Sequence, residues 1–311
     1  MSLKAQGYLG VDLFFVISGY LIGGIYFRES ERENFSILRF WSRRWLRTIP
    51  PYLGLVVIWW VGNRITGAQK TLDWNYLFFF QNYISRPYMG NMPFTWSLCV
   101  EEHFYLLLPI ALKLVKPKAW GPPAFLAAVM LPTLFRFLEY GQPVMTHMRL
   151  DGLVWGVGLS YLMRSQNSVF PRLKQASKRL LPITLLVFPF LHFLLPQPLA
   201  FLRITLADLI FASWTLALAN EPAIRVARWR VVHWVAITSF SCYLIHGYTF
   251  ETVRRISSNS STPFLFLVSV AGVVTTTAGF YYAVEIFTLK LREKVSPRKA
   301  HNEAINSNLA A

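Results

Sequence analysis

The sequence predicts an all-α fold, a polytopic transmembrane helix bundle with about nine spans. Of the 311 residues, 54% are hydrophobic and only 15% are charged, whereas soluble domains carry about 25% charged residues. The apolar residues recur in blocks of about 15 to 25, the length that crosses about 30 Å of hydrocarbon. A transmembrane β-barrel would show alternating segments of about ten residues, so the continuous blocks favour helices.

Nine apolar segments are interpreted as transmembrane helices. In chain order they are 8–27, 51–66, 96–115, 122–139, 150–163, 180–195, 199–219, 233–250 and 263–289. The region 1–294 is therefore expected to form a single transmembrane domain. The polar segment 295–311 is expected to be a cytoplasmic tail without stable structure.

A shorter aromatic stretch, Trp74–Ile84 (WNYLFFFQNYI), lies between the second and third predicted spans. It is too short to cross the bilayer as a helix. Its tryptophan, tyrosine and phenylalanine residues are of the kind that lies at the level of the lipid headgroups. The sequence therefore predicts an interfacial or re-entrant helix in this region.

The positive charges indicate how the predicted spans are oriented. With the loop after the first span in the cytoplasm, the cytoplasmic segments hold 22 of the 31 lysine and arginine residues. This positive-inside asymmetry indicates a multi-pass protein of the bacterial inner (plasma) membrane, in contact with the lipid bilayer. In this orientation Met1 lies outside, so a further helix is expected upstream of the first span.

The same asymmetry explains the net charge of +16, so nucleic-acid binding, which a basic soluble protein would suggest, is not expected. The two cysteines, Cys99 and Cys242, lie in apolar blocks and show no metal-ligand spacing. Both are interpreted as core thiols, and no metal site is expected.

Ionisable residues inside the apolar blocks are the candidates for function. A charge at membrane depth is costly unless it is paired or hydrated, so such residues are functional candidates by default. Glu101, Glu102 and His103 lie within one apolar run, and His103 is interpreted as a hydrogen-bonded histidine at a helix interface. Two further spans contribute the charged residues Asp12, Arg149 and Asp151. All of these charged residues are expected near the outer ends of their helices.

Two interpretations of these outer charges stay open. Opposite charges at one depth can neutralise each other, which makes their burial tolerable. The charges could line a polar pocket for an acceptor molecule, or they could form a structural ion-pair network that joins three helices.

Three arginines, Arg43, Arg44 and Arg47, lie at the cytoplasmic start of the second span, just before Pro50 and Pro51. Arg43 and Arg47 are four residues apart and share a helix face. Guanidinium groups match phosphate oxygens in geometry and charge. The arginines are interpreted as a phosphate-binding group, with a positive-inside anchor at lipid headgroups as the alternative.

Several motifs follow one another in a recognisable order. They are GYLGVDLFFVISGYLIGG (7–24), RFWSRRWLRTIPPY (39–52), FTWSLCVEEHFYLLLP (94–109), RLDGLVWGV (149–157), SFSCYLIHGY (239–248) and YYAVEIFTLKLR (281–292). In this order and spacing the chain resembles the acyltransferase-3 family of integral membrane acyltransferases over nearly its whole length.

The resemblance implies a membrane O-acyltransferase. Members of the family move acyl groups, often acetyl from acetyl-CoA, onto hydroxyls of envelope or extracellular carbohydrates. The donor substrate would be acetyl-CoA or another acyl-CoA, with no permanently bound cofactor. The partner on the outer side would be a saccharide or a lipid-linked saccharide acceptor.

The resemblance also suggests roles for individual residues. Arg43, Arg44 and Arg47 would bind the phosphates of CoA, and Glu101 fills the glutamate position of the family in a supporting catalytic role. The family's catalytic histidine lies on a first helix about ten residues after an arginine, and that helix is expected before Gly7. The candidate acceptor-binding residues are Asp12, Trp96, Tyr105, Arg149, Asp151, Tyr243 and His246.

Alternatives remain at this point. Aromatic rings stack on the apolar faces of sugars, but Trp96, Tyr105 and Tyr243 could also belong to an aromatic belt. Intramembrane charges also mark transport pathways, so a transporter or a non-catalytic acyl-binding membrane protein is the second hypothesis. An inactive truncated remnant of the family is the third.

Overall fold

The computed structural model describes residues 9–32, 35–67, 70–84, 91–115, 121–139, 143–165, 168–196, 199–219, 229–256 and 262–295. All regular secondary structure in these residues is helical, which confirms the predicted all-α class. Most of the predicted tail 295–311 lies outside the described residues, as do residues 7 and 8 at the start of the first motif.

Thirteen α-helices are present in the described residues. They are α1 (Gly10–Glu31), α2 (Ile37–Ile65), α3 (Trp74–Leu77), α4 (Gln81–Ile84), α5 (Trp96–Leu114), α6 (Gly121–Leu138), α7 (Asp151–Arg164), α8 (Val169–Val187), α9 (Leu191–Leu194), α10 (Leu202–Leu218), α11 (Arg230–Ile256), α12 (Thr262–Phe280) and α13 (Ile286–Val295). Short 3₁₀ turns cover Pro93–Thr95, Thr146–Met148 and Phe188–Phe190, and Tyr281–Glu285 is π-helical.

Each predicted span coincides with helical structure. Within the described ranges, three helical stretches are long and apolar enough to cross a membrane by length and composition, namely Gly10–Glu31, Gly121–Leu138 and Pro263–Lys294. The last of them runs through α12, the π-helical segment and α13 without a break. The total of nine spans and the single transmembrane domain remain predictions.

Two predicted elements are broken in the structure. The segment 180–195 is divided by the 3₁₀ turn Phe188–Phe190, where Pro189 removes a backbone donor from the helix. The aromatic stretch Trp74–Ile84 forms two four-residue helices rather than the one helix expected from the sequence. Between them Phe79 has a φ of 60°, a left-handed conformation that no α-helix continues.

The chain divides into two compact units. Unit 1 comprises 1–35 and 73–222, and unit 2 comprises 36–72 and 223–311. In unit 1, helix α1 packs mainly against α7, and both pack against α10. The core between these helices buries Val16, Leu159, Ile204 and Phe211.

The contact between α1 and α7 brings two backbones together. A Cβ atom placed on Gly19 would lie 2.0 Å from the carbonyl oxygen of Leu153, and one placed on Gly156 would lie 2.1 Å from that of Val16. These glycines therefore allow a helix separation that any larger residue would prevent, as small residues do at helix interfaces in membranes.

In unit 2, helix α2 packs against α13 and the π-helical segment, and α11 packs against α12. Helix α2 continues through Pro50 and Pro51 and passes close to the π-helical segment at Gly54, where an added Cβ would lie 3.1 Å from Val284. This arrangement places the arginines of α2 and Glu285 in the same unit.

We predict that Gly156→Ala destabilises the protein by about 1–3 kcal/mol, the usual cost of overpacking a closely packed interior. The thermal unfolding midpoint of purified protein in detergent should fall accordingly. The matched control is Gly279→Ala, since nothing lies within 4 Å of an added Cβ there and alanine is favoured over glycine in a helix by about 0.5–1 kcal/mol. An unchanged or higher midpoint for Gly156→Ala would contradict the close backbone contact.

Candidate functional site

A buried ion pair joins α1 to the residues just before α7. Nη2 of Arg149 lies 2.9 Å from Oδ1 of Asp12, and each side chain is 1% exposed. The guanidinium of Arg149 also lies over the ring of Trp96, 4.8 Å from its centroid, a cation–π arrangement. The structure thus brings together three residues that the sequence had placed in the acceptor site.

A second buried ion pair joins α6 to the start of α7. Nη2 of Arg136 lies 2.6 Å from Oδ2 of Asp151, and Nη1 donates to Oδ1 at 3.2 Å. The negative charge of Asp151 occupies the first turn of α7, where the helix dipole stabilises it. Asp151 was predicted as a site residue, but its partner Arg136 was not.

Arg136 also holds neighbouring elements. Its guanidinium donates to the hydroxyl of Thr133 at 3.1 Å, to that of Thr205 on α10 at 2.7 Å and to the carbonyl of Met148. Guanidinium has five donors in a fixed fork, and here they reach three helices and one turn. A signal for Arg136 was available in the sequence, because it lies inside the predicted span 122–139, whose other charged residue, Glu139, is its last residue.

Asp208 of α10 is a second buried charged residue that sequence reasoning missed. Its side chain is 0% exposed, and neither carboxylate oxygen has a hydrogen-bond partner among the described residues. Gly152 leaves room for it, since an added Cβ would lie 2.8 Å from Oδ1 of Asp208. Asp208 interacts electrostatically with four charged residues, namely Asp12, Asp151, Arg136 and Arg149. We call these five residues the buried charge cluster.

The composition of the buried charge cluster determines its chemistry. It holds three carboxyl groups and two guanidinium groups, and two of the carboxylates are already paired. A carboxylate buried without a partner is strongly disfavoured relative to its neutral form. The two guanidinium groups pair with Asp12 and Asp151, so Asp208 is the carboxyl group of the cluster without an ion-pair partner among the described residues.

Glu101 lies in a separate hydrogen-bonded chain of unit 1. It is 2% exposed and accepts a hydrogen bond of 2.8 Å from the hydroxyl of Tyr105, one turn further along α5. That hydroxyl is also 2.8 Å from Oγ of Ser18 on α1. Ser18 follows Asp12 by six residues on α1, which separates them by about 9 Å along the helix axis.

Glu102 and His103 follow Glu101 on α5. Glu102 is buried. Nδ1 of His103 lies 2.7 Å from Oγ1 of Thr146, so this histidine makes a hydrogen bond between α5 and the 3₁₀ turn before α7. The contact has the form that we expected for a histidine at a helix interface.

The three predicted phosphate-binding arginines lie on α2 of unit 2. Nη2 of Arg43 is 3.5 Å from Oε1 of Glu293, whereas the side chain of Arg47 is exposed. Glu285 in the π-helical segment is buried and accepts a hydrogen bond from Ser241. The positive charge of Arg47 also attracts the Glu285 carboxylate electrostatically.

Tyr243 and His246 lie on α11 of unit 2, one turn apart. Their ring centroids are 5.6 Å apart, and Nδ1 of His246 is 2.6 Å from the carbonyl oxygen of Tyr243. Nδ1 is therefore the donor, which leaves Nε2 of the neutral imidazole as an acceptor.

Comparison with known proteins gives a consistent result. Residues 2–284 match the model of a family described as an acyltransferase domain. The peptidoglycan O-acetyltransferase OatA of Listeria monocytogenes is 27% identical over 288 residues, which is 79% of this chain and 45% of that protein. The O-acetyltransferase OatA of Staphylococcus aureus is 34% identical over 121 residues, 34% of this chain and 20% of that protein.

The chain thus spans less than half the length of these curated relatives. No solved structure matches the chain.

We predict that Arg136→Met destabilises the protein by about 3–5 kcal/mol, because it leaves Asp151 as an uncompensated buried charge. The double variant Arg136→Met, Asp151→Asn should recover most of this loss, which a double-mutant cycle on chemical unfolding would measure. The matched control is Arg254→Met, whose partner Glu251 lies on the surface, where an ion pair contributes about 0–1 kcal/mol. Equal losses in the single and double variants would show that the pair is not the source of the effect.

Proposed function

Since this chain belongs to the acyltransferase-3 family, we propose that it transfers an acetyl group from acetyl-CoA to a hydroxyl of a cell-envelope carbohydrate. The match to the family over residues 2–284 carries the proposal, because it includes every candidate residue on both units. The names of the two relatives support acetyl as the acyl group, and the name of the Listeria protein supports a peptidoglycan glycan as the acceptor.

The donor side of the proposal rests on α2. Acetyl-CoA would approach from the cytoplasm, where the positive-inside pattern places Arg43, Arg44 and Arg47. Of the three, Arg47 is exposed, whereas Arg43 is also engaged by Glu293. The guanidinium of Arg47 can therefore pair with a phosphate of CoA without breaking a described ion pair.

The acceptor side of the proposal rests on unit 1. Transfer breaks the C–S bond of the thioester and forms a C–O ester bond, while the proton of the acceptor hydroxyl ends on the CoA thiol. By resemblance to the family, a histidine would act as the base or carry the acyl group in transit. Glu101 would orient that histidine as a positioning residue. Glu101 itself accepts from Tyr105, whose hydroxyl lies 2.8 Å from Oγ of Ser18.

The buried charge cluster is closed to a molecule outside unit 1, since its residues are between 0% and 6% exposed. Its burial favours the interpretation as an ion-pair network over the interpretation as an open acceptor pocket. We propose that the network fixes α1, α6, α7 and α10, and that it thereby holds the elements that carry the acceptor-handling residues.

The direct test is acetyl transfer by the purified protein in nanodiscs. With radiolabelled acetyl-CoA and a soluble peptidoglycan disaccharide, we expect one acetyl ester formed for each CoA released. Retained CoA binding without transfer would instead support an acyl-binding protein or a remnant. Acceptor flux in proteoliposomes without any acetyl ester would support a transporter.

We predict that Arg47→Ala weakens the binding of CoA by about tenfold, the effect of losing one charge-assisted contact of about 1.4 kcal/mol. Because the side chain is exposed, the unfolding midpoint should not change. Isothermal titration of CoA measures the affinity. Arg64→Ala is the matched control, since Arg64 is exposed near the other end of α2. An equal affinity in the Arg47 variant would remove this arginine from the donor site.

We predict that Glu101→Gln lowers kcat by about 100-fold, because a base that is no longer oriented loses the general-base assistance that contributes at least about 100-fold. The amide keeps the shape of the side chain and still accepts from Tyr105, so the fold should persist. Steady-state kinetics with both substrates gives kcat, and its pH profile reports whether the base has changed. Glu31→Gln serves as the control, because Glu31 pairs with Arg164 on the surface. A wild-type kcat and pH profile in Glu101→Gln would exclude the positioning role.

A further inference from the structure

A second group of ionisable and aromatic side chains lies on the exposed side of unit 1. It consists of Tyr83 at the end of α4, Glu139 just after α6 and His147 in the 3₁₀ turn Thr146–Met148. We call these three residues the exposed triad. The sequence motifs do not single out any of the three, and the proposed acetyl transfer does not involve them.

Hydrogen bonds connect the exposed triad in one chain. The hydroxyl of Tyr83 lies 3.2 Å from Nδ1 of His147, and Nε2 of His147 lies 3.2 Å from Oε1 of Glu139. The Tyr83 hydroxyl also accepts from the backbone N–H of His147 at 3.4 Å. The carboxylate of Glu139 can only accept, so Nε2–H of His147 donates to it.

The rings around the triad form a partly exposed wall. Tyr83 and His147 are stacked, with centroids 5.7 Å apart and an interplanar angle of 26°. The next ring along is Phe80, which packs 5.2 Å from His103. Phe80 is 44% exposed and Tyr83 is 40% exposed, so both present apolar surface beside the polar groups of the triad.

Buried hydrogen bonds fix the wall in place. Nδ2 of Asn82 donates to Oγ1 of Thr146 at 3.0 Å and to the carbonyl of Val144 at 3.3 Å. The same threonine hydroxyl lies 2.7 Å from His103. Because Asn82 and Thr146 are buried, helix α4 and the 3₁₀ turn are held together before any ligand arrives, which lowers the entropy cost of binding.

The turn that carries His147 also leads into the buried charge cluster. Met148 accepts a hydrogen bond from Arg136 through its carbonyl, and Arg149, the next residue, pairs with Asp12. A ligand on the exposed triad would therefore lie at the end of unit 1 where α7 begins. This is the end at which we expect the acceptor to approach.

We propose that Phe80, Tyr83, Glu139 and His147 form a saccharide-binding subsite for the acceptor glycan, an inference that rests on the proposed function. A pyranose ring offers an apolar face that stacks on an aromatic ring, and it offers hydroxyls that donate to a carboxylate. The wall provides both within one rigid surface. An anionic lipid headgroup fits less well, because the Glu139 carboxylate would repel its phosphate.

The test measures binding of a soluble N-acetylglucosamine–N-acetylmuramic acid disaccharide to the protein in nanodiscs, without donor, by saturation-transfer NMR. Tyr83→Ala should weaken binding by about tenfold, because it removes the stacking ring. Tyr83→Phe keeps the ring and Glu139→Gln keeps the shape, so each should weaken binding only about two- to fivefold. Tyr282→Ala is the matched control, since Tyr282 is 63% exposed and belongs to unit 2.

Kinetics then separate this subsite from the proposed function. In an active protein, the variants should raise KM for the acceptor and leave KM for acetyl-CoA and the kcat at saturating acceptor unchanged. Active protein with an unaltered acceptor KM in Tyr83→Phe and Glu139→Gln would overturn the subsite and leave the function standing. Disaccharide binding that depends on Tyr83, without any acetyl transfer, would support the subsite and overturn the function.

Two further outcomes bear on the subsite. Wild-type protein that does not bind the disaccharide at all would overturn it. Unchanged disaccharide binding in the variants, together with an unfolding midpoint that has lost its dependence on anionic lipid, would assign the wall to the membrane surface instead. The conservative variants keep the test valid should Tyr83→Ala fail to fold.

Discussion

Unit 1 depends on the pairing of two guanidinium groups with two carboxylates at the ends of α1, α6 and α7. Apolar packing alone gives little preference for one arrangement of helices in lipid, because lipid tails are as apolar as the side chains. The pairs Arg149–Asp12 and Arg136–Asp151 remove that freedom, since separating any one partner would leave a buried charge. The glycine contact between α1 and α7 then lets the charged ends reach each other.

The positions of the helices were largely predictable from the sequence, because a backbone in an apolar setting must satisfy its hydrogen bonds within the helix. The ends of the helices were less predictable from the sequence. Helix α2 begins at Ile37, well before the predicted start at 51, since its arginine-rich first part is helical without being apolar. The break at Phe79 also has no clear signal, because a positive φ at a phenylalanine arises from its surroundings and not from its own preference.

The sequence predicted which residues belong to the candidate site better than it predicted which of them form ion pairs. Asp12, Arg149 and Trp96 were expected together and do lie together. Asp151, however, pairs with Arg136, and Asp208 was overlooked although it lies inside a predicted span. Hydropathy marks an ionisable residue as unusual in an apolar block. Which partner neutralises it depends on contacts between distant segments, and a local hydropathy pattern does not report those contacts.

The 3₁₀ turn Thr146–Met148 lies between a set of buried charged groups and a set of exposed hydrogen-bonding groups. On one side, the carbonyl of Met148 accepts from the buried Arg136, and Arg149 pairs with the buried Asp12. The charges on this side therefore neutralise one another. On the other side His147 joins Tyr83 and Glu139 on the surface. Buried, mutually neutralised charges make rigid supports, whereas exposed hydrogen-bonding groups can exchange water for a ligand at little cost. The turn thus places a surface suited to recognition on a support that is fixed by electrostatics.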